Sequence, residues 1–353
     1  MEIARVVQWT TGLVAKQAVP VIAARPDLEL VGVYAYSKDK VGKDAGELVG
    51  LDHALGVTAT DDIDALIALR PDCVVYMPLH ADVAHLTQLL RAGINVVTTA
   101  FVTGRMMSET DRLALDAAAR EGGASLFGSG IHPGQTDMLA ALASSICSDI
   151  YYVKVSESVD LTLWAAEPNQ DELGWGRPKD DPGHKEDLAY ATRIDKDSLD
   201  VIAKLLDIPL DDTRCEVELA HATKDIDIPG RPIKEGHVAG MDIRWIGTSG
   251  GADAVEVNLR WTLGTDLDVQ WAPPEGFLLE VKGNPYVAVR MMFMPEDLTN
   301  LTVESMAAVG HLTTAMPVVN AIHAVVAAPP GIVTYADLAP MTAPFVPRPA
   351  AST

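Results

Sequence analysis

Positive charge is scarce in this chain. Its 27 Lys and Arg stand against 49 Asp and Glu, a formal net charge of −22 over 353 residues. Clustered cations are what hold a phosphate backbone or an anionic membrane surface, so the balance argues against nucleic acid and membrane partners. Aromatic residues make up only 5% of the chain against 48% hydrophobic, so aliphatic side chains must build the core. Cysteine is rare too: Cys73, Cys147 and Cys215 lie far apart and form no C-x-x-C pair. That excludes a disulfide framework, offers no metal-ligand spacing, and fits a reduced cytoplasmic protein with no metal. No leader-like charged and apolar start is seen, no apolar run is expected to span a bilayer, and no internal repeat is found.

What is present is alternation. Up to about residue 150, short apolar runs at 4–9, 28–34, 73–77, 94–97 and 125–127 alternate with segments of helical period at 13–24, 61–69, 80–92, 109–121 and 134–147. Strands buried on both faces read this way, and the alternation predicts α/β architecture: a Rossmann doubly wound parallel sheet. Asp61 and Ser108 are expected N-caps, Gly93 and Gly122 expected C′ glycines. Beyond 150, longer strand-like segments follow one another (151–164, 213–222, 237–245, 254–263, 277–281, 286–292), predicting a second α+β domain with a mainly antiparallel sheet. Residues 165–184 form a long loop of the length that lids have, followed by a helix at 198–206. A last helical segment, 298–326, is interrupted by Pro317, where a kink or an end is expected. The expected domains are therefore 1–150, a nucleotide-binding domain; 151–297, a substrate and dimerisation domain; and 298–353, a helix returning to the first domain and an irregular tail from Ala339.

The first strand leads into Thr10-Thr11-Gly12-Leu13-Val14-Ala15. Small residues here allow a tight turn, close approach of a pyrophosphate and close helix packing, and Thr10, Gly12 and Ala15 occupy the three positions of G-x-G-x-x-G/A. The second strand lacks the usual acid at its tip; Ser37 and Lys38 follow instead, which favours NADP over NAD, with NAD still possible. Pro78 and Leu79, with His80, form the turn that borders the ribose and nicotinamide in this architecture. Thr98 and Thr99 offer hydroxyls, and Phe101 and Val102 an apolar wall. The turn from Phe127 to Gly134 presents free N–H groups and the ionisable His132 and Asp137. On the next strand Glu157 and Asp160 are three apart, so only one of them faces the cleft.

Six stretches carry a family resemblance: VVQWTTGLVAKQAV (6–19), LELVGVYAYSKDKVGKDAGEL (28–48), NVVTT (95–99), FGSGIHPG (127–134), GWGRP (174–178) and TAMPVVNAIHAVVAAPPGI (314–332). Together they resemble the 2,4-diaminopentanoate dehydrogenases and the related native amine dehydrogenases, whose N-terminal domain is dihydrodipicolinate-reductase-like. The resemblance implies a homodimer and hydride transfer between a nicotinamide and the carbon of a small amine or imine, including reductive amination of a carbonyl compound. It puts Thr10, Thr11, Gly12, Leu13 and Val14 at the pyrophosphate, Ser37 and Lys38 near the adenosine, and Thr99, Ala100, Phe101 and Asn320 toward the nicotinamide. The expected substrate pocket is Phe101, Val102, Thr103, Ile131, His132, Trp164 and Trp175.

Two departures from the family pattern matter. Its amine-forming members carry a glutamate just after NVVTT, where this chain has Ala100-Phe101-Val102-Thr103-Gly104, and His132 replaces a more usual asparagine. Reductive amination needs a base for ammonia's proton and an acid to expel water. Phe101 can be neither, so His132, Glu157 and Asp160 are the candidate acid–base residues. The alternatives are a carbonyl or imine reductase without ammonia chemistry and a non-catalytic NADP-binding protein.

Overall fold

The computed structural model describes residues 2–271, 275–339 and 341–345. The part of the expected irregular tail beyond 345 lies outside the described residues. The first unit runs β1 (Ala4–Trp9), α1 (Leu13–Ala24), β2 (Leu28–Tyr34), α2 (Ala45–Val49), β3 (Ala59–Thr60), α3 (Ile63–Ala68), β4 (Cys73–Tyr76), α4 (Val83–Arg91), β5 (Asn95–Thr98), α5 (Glu109–Gly122), β6 (Ser125–Gly128) and α6 (Gln135–Ala143). The second runs β7 (Ile150–Asp160), α7 (His184–Ala191), α8 (Lys196–Leu206), β8 (Asp212–His221), β9 (Val238–Ser249), β10 (Ala252–Thr262), β11 (Gly276–Gly283) and β12 (Val287–Met291). The chain then returns through α9 (Val303–Val326) to β13 (Gly331–Val333).

The first sheet has the order β13-β6-β5-β4-β1-β2-β3, and its pairs are parallel. The fold class expected from the alternation is thus the one found. The strand order reverses between β1 and β4, which is where a doubly wound sheet opens a crevice beyond its carboxyl edge. One face packs on α3, α4 and α5 through Val7, Leu86, Leu89 and Leu115. The other packs on α1 and α9 through Val6, Ala18, Val318 and Ile322. The second sheet, β12-β11-β7-β10-β9-β8, is antiparallel except at β7–β10, and its inner face packs on α6 and α8.

Several local expectations are corrected. Asp62, not Asp61, caps α3, its carboxylate accepting from the Ala65 amide at 2.9 Å. The αL glycine that ends α5 is Gly123, while Gly122 lies inside the helix with room for no Cβ beside the Leu90 carbonyl. α4 begins at Val83 behind the Asp82 cap, leaving His80 outside it. β7 ends at Asp160, and residues 161–164 are a 3-10 turn. Pro317 does not divide α9, which runs unbroken over 24 residues. α9 is also long and apolar enough by composition to cross a membrane, contrary to the sequence expectation. Its apolar face is instead used inside the fold: Ala315, Val318, Val319, Ala321, Ile322 and Val325 are buried against the first sheet and α1.

One buried carboxylate ties α8 to the loop after β5. Asp197, in the first turn of α8, is fully buried. It accepts the backbone N–H groups of Val102 (2.8 Å), Thr103 (2.9 Å), Gly104 (3.1 Å) and Arg105 (2.9 Å), four consecutive residues of the loop after β5. Replacing it strands four inward donors, each costing about 1–3 kcal/mol when left unpaired in a dry site, less what water recovers. Asp197→Ala should therefore lower unfolding stability by at least about 3 kcal/mol in a urea titration. A loss below about 1 kcal/mol would show that the loop does not depend on this anchor.

Candidate active site

The crevice between β1 and β4 is built by a turn that ordinary residues resist. Thr10 has φ of 77°, the left-handed region that a β-branched residue avoids at a cost of about 1–2 kcal/mol. Its hydroxyl donates to the Met77 carbonyl at 3.0 Å and its amide to the Tyr34 carbonyl at 3.0 Å, which ties β1, β2 and β4 together at their carboxyl ends. Gly12 then begins α1 with no side-chain cap, and a Cβ there would meet no protein atom within 4 Å. The uncapped N–H groups of α1 therefore face open space with the positive end of the helix behind them, an anion-binding arrangement.

A cavity of about 250 Å³ lies over this turn. Of the residues expected at a cofactor, Thr10, Thr11, Gly12, Ser37, Pro78 and Leu79 line it. Lys38 is exposed and does not line it; Lys40 does, and its ammonium donates to Thr11 Oγ1 at 3.1 Å. The reason is a turn in which the amides of Lys40 and Val41 both return to the Ser37 carbonyl, swinging Lys40 back over the phosphate turn. Tyr36 also lines the cavity, edge-on to Tyr34. The cradle, the uncapped helix start and the Lys40 ammonium beside Thr11 together fit a nicotinamide dinucleotide. Leu13 is exposed at the helix start, and Val14 packs inward. A larger groove of about 1190 Å³ lies along α5, α8 and β13, but Arg105, Arg120 and Lys204 in it are each paired to a carboxylate.

Other expected residues fall elsewhere. Asn320 accepts from Arg25 Nη1 at 3.0 Å. Arg25 follows the far end of α1, so Asn320 stands at the amino edge of the sheet, about 18 Å from the Gly12 turn; it is corrected from a nicotinamide contact to part of an Arg25–Asp27–His323 cluster. Phe101 is also corrected: its ring is fully buried in the core under α4 and α5 and lines no cleft. Ala100 packs in the same core, Val102 in the opposite one, and Thr99 is half-buried behind a bond from its amide to the Tyr76 carbonyl. Thr103 is held in the Asp197 loop. Trp175 is buried, its indole N–H donating to Gln170 Oε1 at 3.0 Å, so it is core and not pocket. Trp164 is half-buried and donates to the Ala307 carbonyl of α9 at 3.3 Å.

The ionisable centre forms where β6 turns into α6. The His132 side chain is 2% exposed. Thr136 Oγ1 donates to the Ile131 carbonyl at 3.1 Å, so it accepts from His132 Nδ1 at 3.0 Å. Asp137 Oδ1 lies 3.5 Å from Nδ1, and Asp195 Oδ1, just before α8, lies 3.5 Å from Nε2. Glu157 shares its strand face with Val153 and Val155, which face the α6–α8 core, and keeps part of its surface open to solvent. Asp160 falls on the opposite face. It accepts from the amides of Thr162 (3.0 Å) and Gly264 (3.2 Å), a capping role that removes it from the candidate acid–base set. Ile131 packs half-buried beside the cluster. Burial alone would lower the His132 pKa, but the carboxylates of Asp137, then Asp195 and Glu157, reverse this and hold it at about 9. Burial pushes Asp195 up, to about 7, and Glu157 up as well, with His132 opposing both shifts.

Residues 6–125 match the family of dihydrodipicolinate reductase, N-terminus. An amine dehydrogenase of Streptomyces virginiae is 35% identical over 219 residues, 59% of this chain and 61% of that protein, so the match spans less than two thirds of the relative. A 4-hydroxy-tetrahydrodipicolinate reductase of Synechococcus elongatus is 41% identical over 83 residues, 20% of this chain and 30% of that one. Among solved structures, an amine dehydrogenase from Mycobacterium smegmatis aligns over 97% of both chains with a TM-score of 0.76 at 22% identity. GenD2 from gentamicin A biosynthesis, in complex with NAD, aligns over 91% of this chain and 87% of its own with a TM-score of 0.50 at 17% identity. The structural likenesses establish the fold class, a Rossmann parallel sheet joined to a second, mixed-sheet domain. Residues 6–125 are thus similar to the N-terminal domain of dihydrodipicolinate reductase, and part of the chain is similar to an amine dehydrogenase.

Lys40→Ala should raise the NADP dissociation constant about tenfold in a fluorescence titration, with a smaller loss for NAD and little change from Lys38→Ala. The reverse ranking of the two lysines would put the 2′-phosphate elsewhere. The His132 cluster predicts a pH effect. An imidazole raised from 6.5 to about 9 on folding stabilises the folded state while protonated, so its contribution is complete below 6.5 and is lost as pH climbs through 9. Urea midpoints of the unaltered chain should fall over that window, and His132→Asn should flatten the fall.

Proposed function

We propose that this chain is an NADP(H)-dependent oxidoreductase of the amine dehydrogenase type, working on a small, mainly apolar amine or carbonyl compound. The observation that carries the reading is a pairing: an open phosphate turn at the β1/β4 crevice, and a carboxylate–imidazole centre at the β6 carboxyl edge of the same sheet. Kinship with the Streptomyces amine dehydrogenase supports it. The nicotinamide, when bound, supplies or accepts a hydride. Thr10, Thr11, Gly12 and the start of α1 would hold its pyrophosphate, and Lys40 the 2′-phosphate, with NAD a weaker alternative. A cytoplasmic homodimer belongs to this reading.

The chain's own part is proton handling and the exclusion of water. Glu157 keeps part of its surface open to solvent, and burial pushes its pKa up, which suits a group that must both give and take a proton. His132 lies behind it between Asp137 and Asp195. Three carboxyls around one imidazole leave this centre short of positive charge, so an ammonium or iminium group is electrostatically welcome there. The second reading, a carbonyl or imine reductase without ammonia chemistry, is favoured by one observation: the loop after β5 offers no carboxylate, and Phe101 is sealed in the core.

NADPH oxidation with a panel of small aldehydes and ketones tests both. Turnover only with ammonium supports amination; equal turnover without it supports the reductase; NADPH binding with no turnover across the panel overturns both. Glu157→Gln should lower kcat/KM by about 10²–10⁴ while leaving the dinucleotide dissociation constant unchanged.

A further inference from the structure

A second ionisable pair joins the N-terminal half of α9 to the long loop of the second domain, and neither the family resemblance nor the assignment above uses it. α9 runs from the carboxyl edge of the first sheet to its amino edge: Ala315 packs in the core that holds Met77, Val102 and Phe127, while His323 reaches Asp27 at the far end. Residues before Ala315 therefore project beyond the carboxyl edge, where ligands of this sheet type bind. His311 is one turn before Ala315 on the same helix face, about 6 Å further out. Its Nε2 lies 3.0 Å from Glu167 Oε1, with side-chain exposures of only 15% and 19%. Glu167 belongs to the long loop of the second domain, which reaches back to the first where Glu172 lies 3.4 Å from His80, next to the Pro78–Leu79 turn. Around the pair, Trp164 packs against Gly310, and a Cβ on Gly130, two residues before His132, would lie 3.7 Å from Thr314. The pair thus stands on the α9 wall of the crevice, across the Gly130 loop from the His132–Glu157 centre. The 3.0 Å contact is not aligned as a hydrogen bond, so Nε2 is buried without a hydrogen-bond partner among the described residues.

We propose that His311, oriented by Glu167, is the second proton-transfer group of the active site and takes the proton that a substrate ammonium must lose. The inference rests on the oxidoreductase reading above. Amine chemistry needs two proton events, and one residue on each wall divides them. In the oxidative direction R₂CH–NH₃⁺ passes one N–H proton to the His311 imidazole. The C–H bond of the resulting R₂CH–NH₂ then gives its hydrogen with both electrons to the oxidised nicotinamide, leaving R₂C=NH₂⁺. Water adds to that carbon, with Glu157 moving protons between oxygen and nitrogen, and the products are R₂C=O and NH₄⁺. Atoms and charge balance with no other reactant. An imidazole is the side chain that exchanges a proton near neutral pH, and a carboxylate at its side steadies the imidazolium formed.

The test is a ¹³C NMR spectrum of the chain labelled at histidine Cε1, with His311 identified by the signal missing from His311→Gln. In the NADPH complex at pH 8, where no hydride can move to an amine, isobutylamine should shift the His311 signal because its nitrogen sits against the imidazole. Isobutyl alcohol, the same shape without a basic nitrogen, should not. An unmoved signal, or the same shift with both ligands, overturns the proposal. In turnover, His311→Ala should lose at least about a hundredfold in kcat/KM and regain part of it with added imidazole. Glu167→Gln, which keeps the size of the side chain and is expected to fold normally, should lose about tenfold. A His311→Ala chain that binds NADPH normally and is either fully active or not rescued by imidazole also overturns it. Failure of NADPH to bind the unaltered chain would instead defeat the oxidoreductase reading, which separates the two.

Discussion

The burial of one face of α9 is the constraint on which the molecule depends. The second domain is an excursion of the crossover that leaves β6 and must come back to add β13 beside it. α9 makes that return, and a helix of 24 residues spans about 36 Å, roughly twice what is needed to cross the sheet. Its C-terminal half supplies the apolar layer that covers β1, β4, β5 and β6 beside α1. Its N-terminal half has no sheet beneath it and meets Trp164 and Glu167 of the second domain instead. One rigid element therefore determines both how the first sheet is closed and where the wall of the cleft stands. Pro317 is tolerated because most of the helix's energy comes from packing of this face, not from one backbone hydrogen bond.

A second economy concerns α8. The residues that open it serve two loops of the first domain at once: Asp195 faces His132 after β6, and Asp197 gathers four amides after β5. Buried charges are expensive unless paired or hydrogen-bonded, and here the two carboxylates solve the problem differently. Asp197 is satisfied by backbone donors and becomes a joint. Asp195 has only the imidazole across a 3.5 Å gap, so its charge and that of His132 depend on each other. The joint holds still the ground on which the titrating pair stands.

Fold class was legible in the sequence because both periodicities were strong: apolar runs buried on two faces before residue 150, glycine-punctuated strands after it. The lining of the phosphate turn was legible because it rests on chain-local features, a strand, a small-residue turn and a helix start. Reading Lys38 and not Lys40 as the lining cation failed by two residues, since the Ser37 turn that reverses the chain leaves no mark beyond an ordinary polar run. Phe101 misled for a different reason. Position after a strand suggests the cleft, but which way a side chain points there depends on the twist of the loop, and that is imposed by Asp197 from 95 residues away. Asn320 misled through helix length: a motif near the end of α9 lies a sheet's breadth from the residues at its start. The parity argument at Glu157 and Asp160 needed no tertiary knowledge beyond which face is inner, because alternation along a strand is a local rule.

The missing carboxylate after β5 can now be seen as a structural matter as much as a chemical one. Gly128 at the end of β6 lies so close to this loop that a Cβ would stand 1.9 Å from the Phe101 carbonyl. The loop cannot lift toward the cleft without losing either that contact or the four bonds to Asp197. Its side chains are committed inward, Phe101 to one core and Val102 to the other, so a carboxylate placed at either position would be buried away from any substrate. On the proposed reading, proton chemistry therefore falls to the walls that remain: the β6–α6 corner with β7, and the α9 segment that overhangs the sheet. Both walls carry an imidazole beside a carboxylate, and both owe their position to long-range packing.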